Sequence, residues 1–237
     1  MENKFNIIKV GVTNCYFLKS SSCNVLIDTG YKGKTQIILD FLENNEIPPK
    51  SIGLIVLTHA HYDHIGNVSE LKKITEAKIL LHKDDLSLLD LGITDSMSTK
   101  PLNIWGKILL SKVASIDTSF NHLKPDIIID SDLYLRNYGI NGRIIHTPGH
   151  SKGSISVILD SGDAFIGDLA MNGLPLRVGA GEPIFGENIK EIYQSWIKLI
   201  ENKANTLYPG HGAPFNIKVI KRILSRKGYI CPSSNNR

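Results

Sequence analysis

Residues 58–66 read Thr58-His59-Ala60-His61-Tyr62-Asp63-His64-Ile65-Gly66, directly behind the apolar run Gly53-Leu54-Ile55-Val56-Leu57. Three of the chain's eight histidines and one aspartate fall in this stretch. The apolar run predicts a fully buried strand, and the polar cluster begins where that strand ends. In an extended segment residues i and i+2 point the same way, so His59 and His61 can converge on one metal ion. Gly66 then permits a tight turn, which aims Asp63 and His64 elsewhere, at a second ion nearby. Neutral imidazoles and a carboxylate are the ligand set of Zn²⁺ and of Fe or Mn ions.

One cluster cannot fill two coordination shells, and the sequence supplies further ligands at the ends of later strands. Thr147-Pro148-Gly149-His150-Ser151 offers His150, Ile166-Gly167-Asp168 offers Asp168, and Pro209-Gly210-His211-Gly212 offers His211. The remaining histidines have plainer readings. His82 ends the run Lys78–His82 and reads as a strand cap, His146 reads as structural, and His122 falls where it can contact a substrate. Cys15, Cys23 and Cys231 are an odd, sparse set that fits reduced thiols better than a disulfide framework.

The surrounding chain alternates strand and helix patterns. Three short β-rich runs open it as a meander, and helical periodicity covers residues 32–45 and 67–77. A looser second series follows, with strand segments in 142–150, 154–160, 163–168 and 205–210, and helices across 187–203 and the C-terminal end. No linker divides the halves, so residues 1–237 are expected to form a single domain. Residues 91–126 fit neither series and read as an insertion carrying one amphipathic helix around Trp105–Val113. Trp196, spaced with Ile and Leu at helical intervals, reads as a core residue.

Composition narrows the function classes. Hydrophobic content of 42% and charged content of 21% are those of an ordinary globular protein. No apolar run approaches the roughly 20 residues that span a bilayer, and the opening residues lack a signal-peptide core, so cytoplasmic residence without membrane attachment is expected. Net charge is +4. Lys218, Lys221, Arg222 and Arg226 recur at helical spacing and read as the solvated face of a terminal helix. No aromatics interleave with them, so a nucleic-acid partner is not expected.

The segments THAHYDH, TPGHSKGS, IGD and PGHG, in this order and covering most of the chain, resemble the metallo-β-lactamase superfamily. The resemblance implies an α/β fold: a four-layer αβ/βα sandwich of two mixed sheets flanked by helices, with a metal site at one edge. Residue by residue, it implies that His59, His61 and His150 hold a first ion and that Asp63, His64 and His211 hold a second. Asp168 would bridge the two, and Asp28 in Val25-Leu26-Ile27-Asp28-Thr29-Gly30 would support the ligand loop from behind, since ligand histidines need an acceptor on the other ring nitrogen.

The implied activity is that of a binuclear metal-dependent hydrolase with two divalent ions, zinc foremost and iron or manganese as alternatives. A hydroxide generated at the ions would attack a small ester, thioester or lactone, with Asp63 orienting the nucleophile. Departures from subgroup patterns limit the choice. Asp168 stands where the best-known β-lactamases have cysteine, Met171 stands where acyl-homoserine lactonases have tyrosine, and no basic tail matches glyoxalase II. His61 argues against the flavodiiron pattern. The rival readings are a phosphodiesterase or nuclease of the same fold, a mononuclear iron enzyme resembling persulfide dioxygenases, and a non-enzymatic metal-binding module. In the insertion, Ile104, Trp105, Ile108, Leu109 and Val113 share a helix face. That face is expected to roof the cleft, with Trp105, Leu109 and Met171 contacting a small-molecule substrate. The sequence leaves the oligomeric state open, a homodimer included.

Overall fold

The computed structural model describes residues 4–91, 100–104, 106–108, 117–120, 123–173 and 179–229. Strands β1 (Phe5–Val10), β2 (Thr13–Leu18) and β3 (Asn24–Ile27) form the antiparallel meander that the opening residues predict. Helix α1 (Thr35–Asn44) leads to β4 (Ile52–Val56), which pairs parallel to β3. Helices α2 (Tyr62–Ile65) and α3 (Val68–Thr75) lead to β5 (Lys78–His82), parallel to β4. After α4 (Leu86–Leu91) and the short β6 (Lys100–Pro101), strand β7 (Ile127–Ile129) completes a mixed sheet in the order β1-β2-β3-β4-β5-β7.

The second half builds another mixed sheet. Its strands are β8 (Leu133–Tyr134), β9 (Gly142–His146), β10 (Ile155–Leu159) and β11 (Asp163–Phe165). The short strands β12 (Met171–Asn172), β13 (Ala180–Gly181) and β14 (Phe185–Gly186) come next, and β14 pairs with β6. Helix α5 (Ile189–Glu201), strands β15 (Thr206–Tyr208) and β16 (Phe215–Asn216) and helix α6 (Lys218–Arg226) end the described chain, giving the order β16-β15-β11-β10-β9-β8.

Strand alternation sorts the apolar residues into three packed layers. From β2, Cys15 and Phe17 pack under α1 and α3 against Ile38, Leu42, Val68 and Leu71. Tyr16 and Leu18 of the same strand, with Leu54, Val56 and Leu80 of the same sheet, face the other sheet and cluster with its Ile144, Ile155, Val157 and Phe165. Beyond that sheet, Ile145 and Ile158 pack against Ile192, Trp196 and Leu199 of α5 and Ile220 and Leu224 of α6. Helix, sheet, sheet and helix therefore stack as the four layers of an αβ/βα sandwich. Each sheet is buried on both faces, which is why the strands read as near-continuous apolar runs. Trp196 is fully buried, and its indole N–H donates to the Leu169 carbonyl at 3.0 Å.

Topology assembles the site. β9 and β11 each run antiparallel to β10, and β15 runs parallel to β11. Strands β9, β11 and β15 thus share one direction, and the loops after them, carrying His150, Asp168 and His211, leave the same edge of the sheet. The end of β4 meets that edge: the Ile155 amide donates to the Thr58 carbonyl at 2.8 Å, and the Asn14 amide donates to the Gly210 carbonyl at 2.7 Å.

Two expectations need correction. Gly66 has helical torsions, φ −57° and ψ −31°, and makes no left-handed turn. Its need for glycine is steric, because a Cβ there would lie 2.2 Å from the Lys32 nitrogen and 2.7 Å from the Gly30 oxygen. Within the 91–126 segment, Ile104 and Ile108 are 63% and 52% exposed, so at these positions the apolar face is open to solvent. The close approach is made by Gly106, where a Cβ would lie 2.3 Å from the Ile184 oxygen. Among the described residues no helix is long and apolar enough to cross a membrane.

Leu54, fully buried between the sheets, is a direct probe of the packing. Leu54→Ala is expected to cost about 2–5 kcal/mol, with a fall in Tm of about 2–4 °C for each of those kcal/mol. The exposed Lys9→Ala is expected to stay within about 0.5 kcal/mol of the parent. Chemical denaturation of both variants checks this.

Candidate metal centre

The chain leaves β4 at Val56, bends at Thr58 and His59, and is extended at His61, whose torsions are φ −92° and ψ 147°, before α2 begins. His59 and His61 converge with His150 across that bend, while Asp63 and His64 are carried round by the first turn of the helix. His150 arrives from the loop after β9, Asp168 from a short helical turn after β11, and His211 from the loop after β15. All of these side chains are buried, from 0% exposed at His64 to 8% at Asp63.

They form overlapping groups whose ligand-capable atoms lie within 4.8 Å of one another: His59, His61 and His150; Asp63, His64 and His211; and His59, His64 and Asp168. Asp168 sits where the first two groups meet. Its Oδ1 is 3.3 Å from His64 Nε2, and its Oδ2 is 3.3 Å from His211 Nε2 and 3.7 Å from His150 Nε2. Asp63 Oδ2 lies 3.1 Å from His211 Nε2, and His61 Nδ1 lies 2.9 Å from His150 Nε2.

The outward-facing ring nitrogens are tied down. His64 Nδ1 lies 2.8 Å from Asp28 Oδ2, and His59 Nδ1 lies 3.0 Å from Thr58 Oγ1. His150 Nδ1 donates to the Phe185 carbonyl and His211 Nδ1 to the Val12 carbonyl, both at 3.0 Å. With Nδ1 bonded outward, each of these four rings presents Nε2 to the interior, and His61 presents Nδ1 instead. Asp28 does more than end its strand. Its backbone is left-handed at φ 59°, a conformation Asp tolerates, and its carboxylate accepts the Thr58 N–H and O–H at 2.8 Å each as well as facing His64.

Whether a cation suits this cluster can be tested on its own atoms. Of the atoms that face the interior, His59 Nε2, His64 Nε2 and Asp168 Oδ1 are buried without a hydrogen-bond partner. Such orphaned groups cost about 1–3 kcal/mol each. A metal ion would satisfy nitrogen and carboxylate lone pairs that no donor on the chain reaches. The electrostatics agree. Burial, with His64 and His61 next, holds His59 well below the usual histidine range. Burial and then His150 hold His61 down at about 3. These rings are therefore neutral, the form that ligates. Burial would also lower His211, but Asp168 and Asp63 outweigh it and hold that ring up at about 10. Burial raises Asp63, yet His64 and His211 bring it below the ordinary carboxylate value.

The glycines of the two Pro-Gly-His turns have separate reasons. Gly149 has φ 128°, and a Cβ there would lie 2.5 Å from the Ile192 nitrogen in α5. At Gly210 a Cβ would press to 2.4 Å from Asp168 Oδ1 and 2.5 Å from His64 Cε1. The small residue keeps the space among those side chains open.

Sequence reasoning passed over several residues that hold the cluster. Asn14 Nδ2 donates to the Pro209 carbonyl at 2.9 Å and the Gly212 carbonyl at 2.7 Å, bracketing His211. The signal was present, since a polar side chain inside an apolar strand must find partners. Asp85, fully buried, accepts bonds from the loops that carry His61 and His150. Tyr31 and Tyr62 pack edge to face 5.5 Å apart. Burial and Asp63 push the Tyr62 hydroxyl up to about 12. Met171 is buried on β12, and the neighbouring Asn172 amide donates to the His211 carbonyl at 3.1 Å. Trp105, Leu109 and His122 lie outside the described residues. His82 accepts the Asp84 amide at 3.3 Å, as a cap. It also stacks on His146 at 3.9 Å with the rings 10° apart, and with Asp84 this pair forms a further, partly exposed group whose ligand-capable atoms lie within 4.8 Å of one another.

Comparison with known proteins agrees with this arrangement. The family model described as the metallo-beta-lactamase superfamily matches residues 8–211. The Drosophila melanogaster protein named "Beta-lactamase-like protein 2 homolog" is 29% identical over 225 residues, which are 95% of this chain and 65% of that protein; the chain thus spans just under two thirds of that relative. The Methanocaldococcus jannaschii protein named "Probable metallo-hydrolase MJ0888" is 29% identical over 207 residues, 85% of this chain and 89% of that one. Among solved structures, an archaeal metallo-beta-lactamase superfamily protein from Sulfolobus tokodaii superposes with a TM-score of 0.66 at 24% identity, covering 94% of this chain and 85% of the other. With its four-layer fold and its buried histidine and aspartate groups, the chain belongs to the metallo-beta-lactamase superfamily.

Proposed function

We propose that this chain is a binuclear hydrolase of a small ester, thioester or lactone, with His59, His61 and His150 as one ligand set, Asp63, His64 and His211 as the other, and Asp168 shared. The observation that carries the reading is the position of Asp168, whose two oxygens face His64 on one side and both His150 and His211 on the other. Divalent ions held there, with zinc the first candidate, would supply Lewis acidity and acidify a water toward neutral pH.

The chain's own residues then have distinct tasks. Asp63, held as the anion, accepts a hydrogen bond from the attacking water and orients it. A carboxylate kept below its ordinary pKa is a weak proton store, so orientation is its larger contribution. Tyr62 stays protonated at neutral pH and serves as a donor beside Asp63. No cysteine among the described residues competes as a nucleophile: Cys15 is buried in the core, where desolvation raises its thiol well above the ordinary value, and Cys23 is half-buried beside the Asn24 carbonyl.

Metal content tests the ligand assignment. Close to two ions per chain are expected by elemental analysis. His59→Ala should empty mainly the first site, His211→Ala mainly the second, and Asp168→Ala should weaken both. Full activity with one ion, retained in His211→Ala, would support the mononuclear reading instead.

Asp63→Asn tests the role of the carboxylate. An amide is a poor ligand and cannot take up a proton from water, so turnover should fall by about 10²-fold or more with the fold unchanged by circular dichroism. Wild-type turnover in a fully metal-loaded Asp63→Asn protein would remove Asp63 from the reaction. An activity screen across ester, thioester, lactone and phosphodiester panels decides the substrate class; cleavage confined to phosphodiesters would overturn the proposal.

A further inference from the structure

The motif Thr147–Ser154 contains more than a ligand. Gly149 and His150 have reasons of their own, but Ser151, Gly153 and Ser154 do not touch the cluster's interior. They face Asp85. The Asp85 carboxylate is buried at 0% exposure, and both its oxygens are engaged. Oδ2 accepts the Ala60 amide at 2.9 Å and the Ser151 hydroxyl at 2.9 Å, and Oδ1 accepts the Gly153 amide at 2.7 Å. Ser154 completes the cradle, its hydroxyl accepting the Ser151 amide at 3.0 Å.

The connectivity gives these bonds their meaning. Ala60 lies between His59 and His61, and Ser151 follows His150. The first loop leaves β4 in one sheet and the second leaves β9 in the other. Asp85 comes from neither: it ends the short turn Lys83–Asp85 after β5. One buried anion therefore joins the two loops that carry the all-histidine group. Gly153 is glycine for the same reason, since a Cβ there would lie 2.6 Å from Asp85 Oδ1, Cγ and N. Among the donors to Asp85, none comes from the loop of His211 or from α2, the turn of helix after Ala60 that carries Asp63 and His64.

We infer that Asp85 is a positioning residue for the first metal site alone, setting the spacing of His59 and His61 against His150 and placing a negative charge behind three neutral ligands. This rests on the metal-centre reading above. Partners of this kind typically contribute about 10–100-fold in metal affinity. Asp28 acts differently, contacting the His64 ring directly, whereas Asp85 acts through the residues that adjoin its ligands.

The test separates the two sites by using variants that keep one of them. Asp85→Asn is introduced into His211→Ala, which retains the first group, and into His59→Ala, which retains the second. Zn²⁺ affinity is measured by competition with a chromophoric chelator, and apo-protein Tm is recorded in parallel. Asp85→Asn should weaken Zn²⁺ binding about 10–100-fold in the first background and leave the second within about 3-fold, and Asp85→Glu should recover part of the loss. A merely structural role would lower Tm and reduce affinity equally in both backgrounds, and that result would overturn the inference, as would unchanged affinity in the first. If Asp85→Asn does not fold, Ser151→Ala, which removes one donor, should give a smaller loss confined to the first background; its absence would also overturn the inference. His211→Ala and His59→Ala proteins that both bind no Zn²⁺, alongside a parent that binds none, would instead bring down the metal-centre reading itself.

Discussion

Five imidazoles and two carboxylates share one nearly dry space, and everything around them is arranged to make that tolerable. Neutral histidines crowded together repel added protons, and burial removes the water that would otherwise satisfy their lone pairs. His59 and His61 are accordingly held deprotonated, while Asp168 and Asp63 draw positive charge to His211 and, together with Asp28, to His64. The chain alone leaves several ring nitrogens and an Asp168 oxygen unmatched. A cluster with that deficit calls for cations, and the fold serves to keep the deficit in place.

Rigidity comes from two sources. The sandwich brings the C-terminal ends of β4, β9, β11 and β15 to one edge, so no ligand depends on a long unsupported loop. Behind the ligands, a ring of backbone carbonyls and buried carboxylates fixes which nitrogen faces inward. Val12 and Phe185 contribute carbonyls, Thr58 a hydroxyl and Asp28 a carboxylate, while the Asp85 carboxylate holds the backbone beside His61 and His150. Glycines enter where side chains would fill the space, at positions 149, 153 and 210. Each recurrent small residue in the motifs thus answers to a specific neighbour.

Much of this was legible in the residues themselves. A buried strand ending in a histidine cluster announces a ligand site, but the extended backbone expected there bends at Thr58 and His59, and His59 and His61 converge across that bend. The later Pro-Gly-His turns could be matched to it, and the layering was implied by the family that these motifs resemble. What could not be read is just as physical. Asp85 sits in Lys83-Asp84-Asp85-Leu86, where either aspartate reads as an ordinary helix-start residue; only the fold shows which one turns inward. Asn14 carries no motif of its own, and its partners lie almost 200 positions away along the chain. Gly66 was read as a turn, since sequence reveals a glycine's torsional freedom but not the backbone that passes against it. The exposure of Ile104 and Ile108 shows that helical spacing alone does not say which face is covered.

The central claim is that one shared carboxylate joins two ligand groups. Its most direct test is anomalous diffraction from crystals of the metal-loaded protein. Two peaks about 3.5–4 Å apart, one within bonding distance of His59, His61 and His150, the other of Asp63, His64 and His211, with Asp168 touching both, are the predicted result. A single fully occupied peak, with Asp63 and His211 turned away from it, would contradict the account.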